Sequence, residues 1–120
     1  MNIYDKALEL AKLLADTKEY KDFIAAKENL TKNQICCEIL DNFRQAQFEI
    51  QVAELSGHEV DEAAREQLER LYDIISTNPT ITEYLEAEYR FSRLMSDIQK
   101  IIAEAVPEWF ELDVNKDSLN

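Results

Sequence analysis

Residues that let the backbone turn sharply are scarce in this sequence. Its 120 residues include one glycine and two prolines. A β-sandwich or barrel needs a turn about every ten residues, usually built on glycine or proline, so this chain lacks the residues for an all-β fold. Hydrophobic residues make up 46% of the sequence, which is enough to form a folded core. The sequence therefore predicts a single all-α domain.

Apolar residues recur at the spacing of amphipathic helices in five segments. Capping-box signatures, in which Ser, Thr or Asp precedes Glu or Gln by three residues, place N-caps at Asp16, Thr31 and Thr80. The single glycine, Gly57, stands where the end of the third helix needs a left-handed residue, and Pro107 ends the fifth helix. The predicted helices cover about residues 3–15, 16–30, 31–55, 61–76 and 79–105.

The third and fifth helices are long for a chain of this size. A helix of about 25 residues is roughly 37 Å long, whereas a compact domain of this length has a radius of gyration of about 13–14 Å. We therefore expect an elongated antiparallel bundle of about five helices, in which the two long helices lie side by side. Residues 1–106 would form this domain, and residues 107–120 would form an acidic, partly ordered tail.

Both long helices carry apolar residues at a seven-residue repeat, which is typical of helix–helix seams. The fifth helix also has apolar residues outside its seam, more than one partner helix can cover. We therefore expect a homo-oligomer, with a dimer as the first choice. Gln47 and Glu88 are polar residues on these seams, and either a structural hydrogen bond or a partner contact would explain them. Arg44, Arg90 and Arg93 are the plausible partners in type for the carboxylate. The candidate seam or interface residues are Phe43, Gln47, Ile50, Glu88, Phe91, Met95, Ile98 and Ile102.

The chain is strongly acidic, with a formal net charge of −12. No thirty-residue quarter of it is basic, so the sequence argues against direct binding to nucleic acid or to an anionic membrane. The acidic residues either solvate outward helix faces or attract a basic protein partner. No apolar run approaches the roughly 20 residues that span a bilayer, and no signal peptide precedes the first helix. We expect a cytoplasmic protein.

Residue types that perform catalysis are few. The one histidine, His58, follows a helix end, and no Glu-x-x-His pair is present for a di-iron site. We therefore expect no catalytic residues, no metal and no cofactor. Cys36 and Cys37 are adjacent, which disfavours a disulfide between them, and Cys36 fits a buried position. The alternative function is a redox or metal sensor that uses these two cysteines across a dimer.

Several motifs together resemble one known family. They are the opening MNIYDKALELAKLL (1–14), LDNFRQAQFEIQ (40–51), LSGHEV (55–60) and NPTITEYLEAEYRFSRLMSDI (78–98). In this order they resemble the YlbF/YmcA-like family, also called Com_YlbF, and within it the small YheA-type proteins of Firmicutes. The resemblance covers about residues 1–106.

This resemblance implies a small all-helical protein that associates with itself or with relatives. The YlbF and YmcA members work with a third protein, YaaT, in a complex linked to ribonuclease Y, messenger-RNA maturation, competence, sporulation and biofilm formation. Cluster-binding members of that complex use cysteines near the C-terminus. Residues 81–120 contain no cysteine here, so we expect no cluster. The expected function is a non-enzymatic, self-associating adaptor that contacts other YlbF/YmcA-like proteins or a basic partner.

Overall fold

The computed structural model describes residues 2–111, which fold into helices and short connections. No β-strand occurs among these residues. The prediction of an all-α fold with two long helices is confirmed. The helices are α1 (Ile3–Ala15), α2 (Lys18–Thr31), α3 (Gln34–Leu55), α4 (Glu62–Ser76) and α5 (Pro79–Ala105), followed by a short helical segment over residues 107–111.

The molecule is elongated, as expected, and it is also flat. Its Cα atoms extend over 55 × 42 × 16 Å, and the radius of gyration is 19.2 Å. A thickness of 16 Å accommodates about two packed helices, because helix axes pack about 8–10 Å apart and each Cα cylinder has a radius of about 2.3 Å. No third layer of helices is therefore present to cover the outer faces within residues 2–111.

Most buried residues lie where four helices meet. The end of α2, the first turns of α3, the end of α4 and the start of α5 converge there, and Ile81 is fully buried among them. Two helix pairs extend from this point, α2 with α5 and α3 with α4. We call this cluster the junction core, which consists of Leu30, Cys36, Leu40, Ile75, Ile81 and Tyr84.

The expectation that the two long helices lie side by side is wrong. Helix α5 packs mainly on α2, and α3 packs mainly on α4. Aromatic rings of α2 cover α5: the ring centroids of Tyr20 and Phe91 are 5.2 Å apart, and those of Phe23 and Tyr84 are 5.7 Å apart. With these aromatic contacts α2 takes the position beside α5 that the sequence suggested for α3.

Three predicted N-caps are displaced by one or two residues. In each helix the observed cap accepts a hydrogen bond from the backbone N–H three residues later, at 3.1–3.2 Å. Thr31 instead donates its hydroxyl to the Glu28 carbonyl at 3.1 Å and remains inside α2. Several capping residues stand close together at each site, and backbone geometry selects among them. The observed caps are Thr17, Asn33 and Asn78 in place of Asp16, Thr31 and Thr80.

The prediction for Gly57 is confirmed. Its φ is +73°, the left-handed conformation that glycine adopts without strain. The Gly57 N–H donates to the Glu54 carbonyl at 3.2 Å, and the His58 N–H donates to the Ala53 carbonyl at 3.0 Å. These two hydrogen bonds form a Schellman motif, which ends α3 and turns the chain towards α4.

Two large apolar residues of α3 and α4 are exposed, and one of them, Tyr72, stands on the apolar stripe that the sequence predicts to be the buried face of α4. Ile35 in α3 is 68% exposed and Tyr72 in α4 is 61% exposed. Both residues lie near the junction core in sequence, but the flat arrangement leaves their helix faces without a covering helix. Helix α5 ends at Ala105, before Pro107 as predicted, and Pro107 also begins the helical segment that follows. Residues 112–120 of the predicted tail lie outside the described residues.

Candidate interaction surfaces

Glu88, one of the two polar seam residues, forms an ion pair between α5 and α3. The Nη2 atom of Arg44 lies 2.7 Å and 2.8 Å from the two carboxylate oxygens of Glu88. The Arg44 guanidinium also lies 5.9 Å from the ring centroid of Tyr84, within cation–π range. The pair is partly exposed, so it orients the two helices more than it stabilises them.

The same ion pair influences two pKa values. The hydrogen bond with Glu88 raises the pKa of Arg44, although partial burial opposes this shift. Burial, reinforced by the nearby Glu88 carboxylate, raises the pKa of Tyr84 above its ordinary value of 10.0. Both shifts keep the proton on each group, so Arg44 stays cationic and the Tyr84 phenol stays neutral where the two long helices approach each other.

Neither cysteine forms a disulfide; Cys36 is buried and Cys37 is partly buried. Cys36 belongs to the junction core and is 4% exposed, as its seam position predicts. The side-chain amide of Asn78 donates to the Cys36 Sγ at 3.4 Å, and the Cys37 thiol donates to the Leu30 carbonyl at 3.3 Å. Within residues 2–111, no three His, Cys, Asp or Glu side chains cluster in a way that could hold a metal ion.

The predicted seam residues of α5 become less covered towards its C-terminus. Phe91 is half-buried against Tyr20 and Phe23, and Met95 and Ile98 are also half-buried. Ile102 is 54% exposed. Helix α2 covers the first part of this seam, and the last turns stay open within the part of the chain that the structure describes. On α3, Ile50 is buried, Phe43 is half-buried and Gln47 is exposed.

The open end of α5 continues into the helical segment after it. Five large apolar side chains there are between 44% and 68% exposed. A hollow of about 410 Å³ lies under Phe110, with Ile102 and Ala103 among its walls. We call this region the α5 surface, which consists of Ile101, Ile102, Val106, Trp109 and Phe110.

Helix α1 is similarly uncovered. It is amphipathic but contains no buried residue, and it contacts only α2. Ile3 is 77% exposed, Leu8 62% and Leu13 67%. An isolated helix of 13 residues is marginal in water, because helix stability in proteins comes mainly from packing of the apolar face. A further partner for this face would stabilise α1.

A groove lies between α3 and α4, and two of the predicted seam or interface residues, Phe43 and Gln47, line it. It has a volume of about 350 Å³. The ring centroids of Phe43 and Tyr72 are 6.5 Å apart in it. A second hollow of about 260 Å³, between α4 and α5, shares Tyr72 as a wall. We call the first hollow the Tyr72 groove, which is lined by Phe43, Gln47, Leu68, Glu69, Tyr72 and Asp73.

The sequence did not indicate the roles of Tyr72 and Ile101. Tyr72 stands on the apolar stripe of α4, and Ile101 stands off the seam of α5. An apolar stripe shows which side of a helix can be buried but not whether another helix reaches it. The one sequence signal for the exposed position of Tyr72 is its hydroxyl, because a tyrosine has an apolar ring that can be covered and a polar tip that favours contact with water.

No helix among residues 2–111 is long and apolar enough to cross a membrane. His58 lies exposed in the connection between α3 and α4. The described residues thus form a helical protein whose distinctive features are uncovered apolar surfaces and an acidic, aromatic groove.

Comparison with known proteins identifies the family. A family model described as "Control of competence regulator ComK, YlbF/YmcA" matches residues 3–107. The chain belongs to this YlbF/YmcA family, named Com_YlbF, as its motifs suggested.

Relatives in the family align over most of this chain. A UPF0342 protein of Desulfitobacterium hafniense is 43% identical over 106 residues, which cover 88% of this chain and 86% of the relative. A UPF0342 protein of Caldicellulosiruptor bescii is 42% identical over 105 residues, 88% of each chain. A solved structure, "Protein of Unknown Function (DUF964) from Bacillus stearothermophilus", superposes with a TM-score of 0.70 at 15% identity, covering 88% of this chain and 93% of that one. It shares the helical fold.

Proposed function

We propose that this protein is a non-enzymatic, self-associating helical adaptor of the cytoplasm, whose dimer forms through the α5 surface. The observation that carries this proposal is the row of large apolar side chains at the end of α5 that no other helix among residues 2–111 covers. Ile101 is 67% exposed and Trp109 is 68% exposed. Contiguous apolar surface of this kind is typical of protein–protein contacts.

The total surface area supports association. The chain exposes 9733 Å². A compact monomer of 14.0 kDa would expose about 6,700 Å², so the excess is about 3,000 Å². A stable interface buries about 800 Å² on each partner. The elongated molecule therefore exposes more surface beyond that of a compact monomer than one such interface would bury.

The family connects this adaptor to regulation. The matched model concerns control of a competence regulator. We infer that the protein acts in developmental regulation (competence, sporulation, biofilm formation) or in RNA processing through contacts with other proteins. Other YlbF/YmcA-like chains or a basic protein are the partners that its helices and its net charge of −12 would suit. It would not bind nucleic acid or a membrane directly.

Light scattering tests the self-association. At about 10 μM the wild type should have a mass of about 28 kDa, twice the chain mass of 14.0 kDa. Ile102→Glu places a charge in the α5 surface and should lower the mass to that of one chain. Leu55→Glu is the matched control, because Leu55 is 89% exposed at the far end of α3. It should leave the mass unchanged.

Two outcomes would contradict the proposal. A wild type that stays at 14.0 kDa would refute self-association. A dimer that survives Ile102→Glu but dissociates on Leu55→Glu would place the contact on α3 instead. Trp109 is the only tryptophan, so its emission offers a second readout. The emission should shift to shorter wavelength as concentration rises, because association would cover an exposed indole.

A further inference from the structure

We propose that the Tyr72 groove binds a cationic side chain, preferentially an arginine, carried by a basic segment of a partner protein. This proposal rests on the adaptor function above and names the surface and the chemistry of one partner. The groove is separate from the α5 surface, since none of its lining residues belongs to that surface.

The groove offers aromatic faces to an incoming group. Phe43 comes from α3 and Tyr72 from α4, with ring centroids 6.5 Å apart and planes inclined by 39°. Tyr72 is 61% exposed, so most of its side chain is accessible to a ligand and is not covered by other side chains. An arginine guanidinium is planar and stacks on aromatic rings, which suits it to this position better than a lysine ammonium.

Carboxylates lie beside the rings. Glu69 and Asp73 line the groove, and Glu86 lines the neighbouring hollow that shares Tyr72. No lysine or arginine is among the residues that line either hollow. Within residues 2–111 none of these three carboxylates takes part in an ion pair. Arg44, which follows the groove residue Phe43 on α3, is already paired with Glu88.

The apolar walls would take the stem of the same side chain. Leu68 and Phe43 lie on one side of Tyr72, and Ile75 and Leu85 lie on the other. Arginine covers apolar surface with its methylene stem while its head group reaches polar partners. A segment with arginine next to a leucine-sized residue would therefore fill both hollows, with Tyr72 between the two side chains.

The negative charge of the groove favours a basic protein segment over a second copy of this chain or a nucleic acid. A second copy of this chain would bring 25 acidic and 13 basic residues to an already acidic groove. Nucleic acid would be repelled, because its phosphates need cations and the groove supplies carboxylates. A basic segment of another protein has the complementary charge, and this attraction would also speed its association.

The test uses the full-length protein and a defined probe, a dye-labelled helical peptide of alternating leucine and arginine pairs. Fluorescence anisotropy measures its affinity at about 50 mM and about 300 mM salt. The wild type should bind the arginine peptide at low salt and more weakly at high salt. The same peptide with citrulline, which keeps the shape but lacks the charge, should bind at least about tenfold more weakly.

Variants locate the binding. Tyr72→Ala and Asp73→Asn should each weaken binding about tenfold, while Tyr72→Phe should retain most of the affinity because the ring remains. Tyr89→Ala and Asp97→Asn are the matched controls, since Tyr89 is 65% exposed on α5 and Asp97 removes the same charge outside the groove. These controls should bind like the wild type. Circular dichroism should show all five variants folded, because each altered side chain is exposed.

The proposal is overturned if the wild type does not bind the arginine peptide, if the citrulline peptide binds equally well, or if the controls lose as much affinity as the groove variants. It is also overturned if Tyr72→Ala or Asp73→Asn converts a dimer into a monomer, because the groove would then hold a second copy. Light scattering on the same samples separates the two proposals. If the protein is a dimer but does not bind the peptide, the groove proposal is refuted. If the protein is a monomer that binds the peptide, only the self-association proposal is refuted.

Discussion

The junction core and the ends of the helices that leave it differ sharply in how well they are covered. Of the eight residues that are buried within residues 2–111, six belong to the junction core. Helix α1 has no buried residue, and α5 has none after Ala87. The amphipathic pattern is strong in both regions, so the difference comes from how many helices reach each place. A small core can thus hold the fold together while the outer ends remain available for other molecules.

The largest expected effect tests the junction core. Ile81→Ala should lower the free energy of unfolding by about 2–5 kcal/mol, because it removes a fully buried side chain and leaves a cavity. Leu55→Ala, at an 89% exposed position, should change it by less than about 0.5 kcal/mol. Urea unfolding followed by circular dichroism measures both. Equal losses in the two variants would show that stability is spread over the whole molecule and is not concentrated at the junction.

A smaller loss of stability is expected at Gly57, in the connection between α3 and α4. Gly57→Ala should destabilise the protein by about 1 kcal/mol, because alanine resists the left-handed backbone at φ +73°. A Cβ there would meet no atom within 4 Å, so the effect is conformational and not steric. Gly57→Asn should lose less, since asparagine tolerates this conformation better. If alanine has no effect in thermal unfolding, this connection contributes little to the cooperative unit.

The ion pair between Arg44 of α3 and Glu88 of α5 should contribute still less free energy to stability. A double-mutant cycle with Arg44→Met and Glu88→Gln should give a coupling of about 0.2–1 kcal/mol, reduced because solvent screens both side chains. The Glu54–Arg65 pair, at 3.5 Å and with both side chains more exposed, is the control and should show a smaller coupling. A larger coupling in the control would mean that the approach of the two long helices does not depend on Arg44.

Alkaline pH should weaken the junction core gradually. Because burial raises the pKa of Tyr84 above 10.0, the folded state keeps the phenol proton where the unfolded state loses it. Stability should therefore fall as the pH rises above about 10 and through the raised pKa. Tyr84→Phe should remove this part of the fall, which thermal unfolding between about pH 9 and 11 would detect. A steeper fall in the variant would contradict the assignment.

The sequence located the helices well because apolar periodicity is a local property. The bounds of α1 and α4 and the end of α5 follow from it within a residue. It located the caps less well, since Asp16 and Thr17 both suit an N-cap and only backbone geometry selects Thr17. Of its seam or interface candidates, Phe43 and Gln47 line the Tyr72 groove and Ile102 lies on the α5 surface, whereas Tyr72 is exposed although it stands on the apolar stripe of α4. For Glu88 the sequence offered Arg44, Arg90 and Arg93 as partners of the right type, and only the way the helices meet selects Arg44.

The order of residues alone determined that this chain is helical, acidic and longer than it is thick, because turn residues, charge and helix length can all be read locally. The tertiary structure decided which helices pair. The rings of Tyr20 and Phe23 place α2 against α5, so α3 pairs with α4 and Tyr72 is left beside an open groove. The physical reason is that an amphipathic stripe specifies a face to cover but not its partner. The choice of partner depends on the packing of side chains that lie far apart in the sequence.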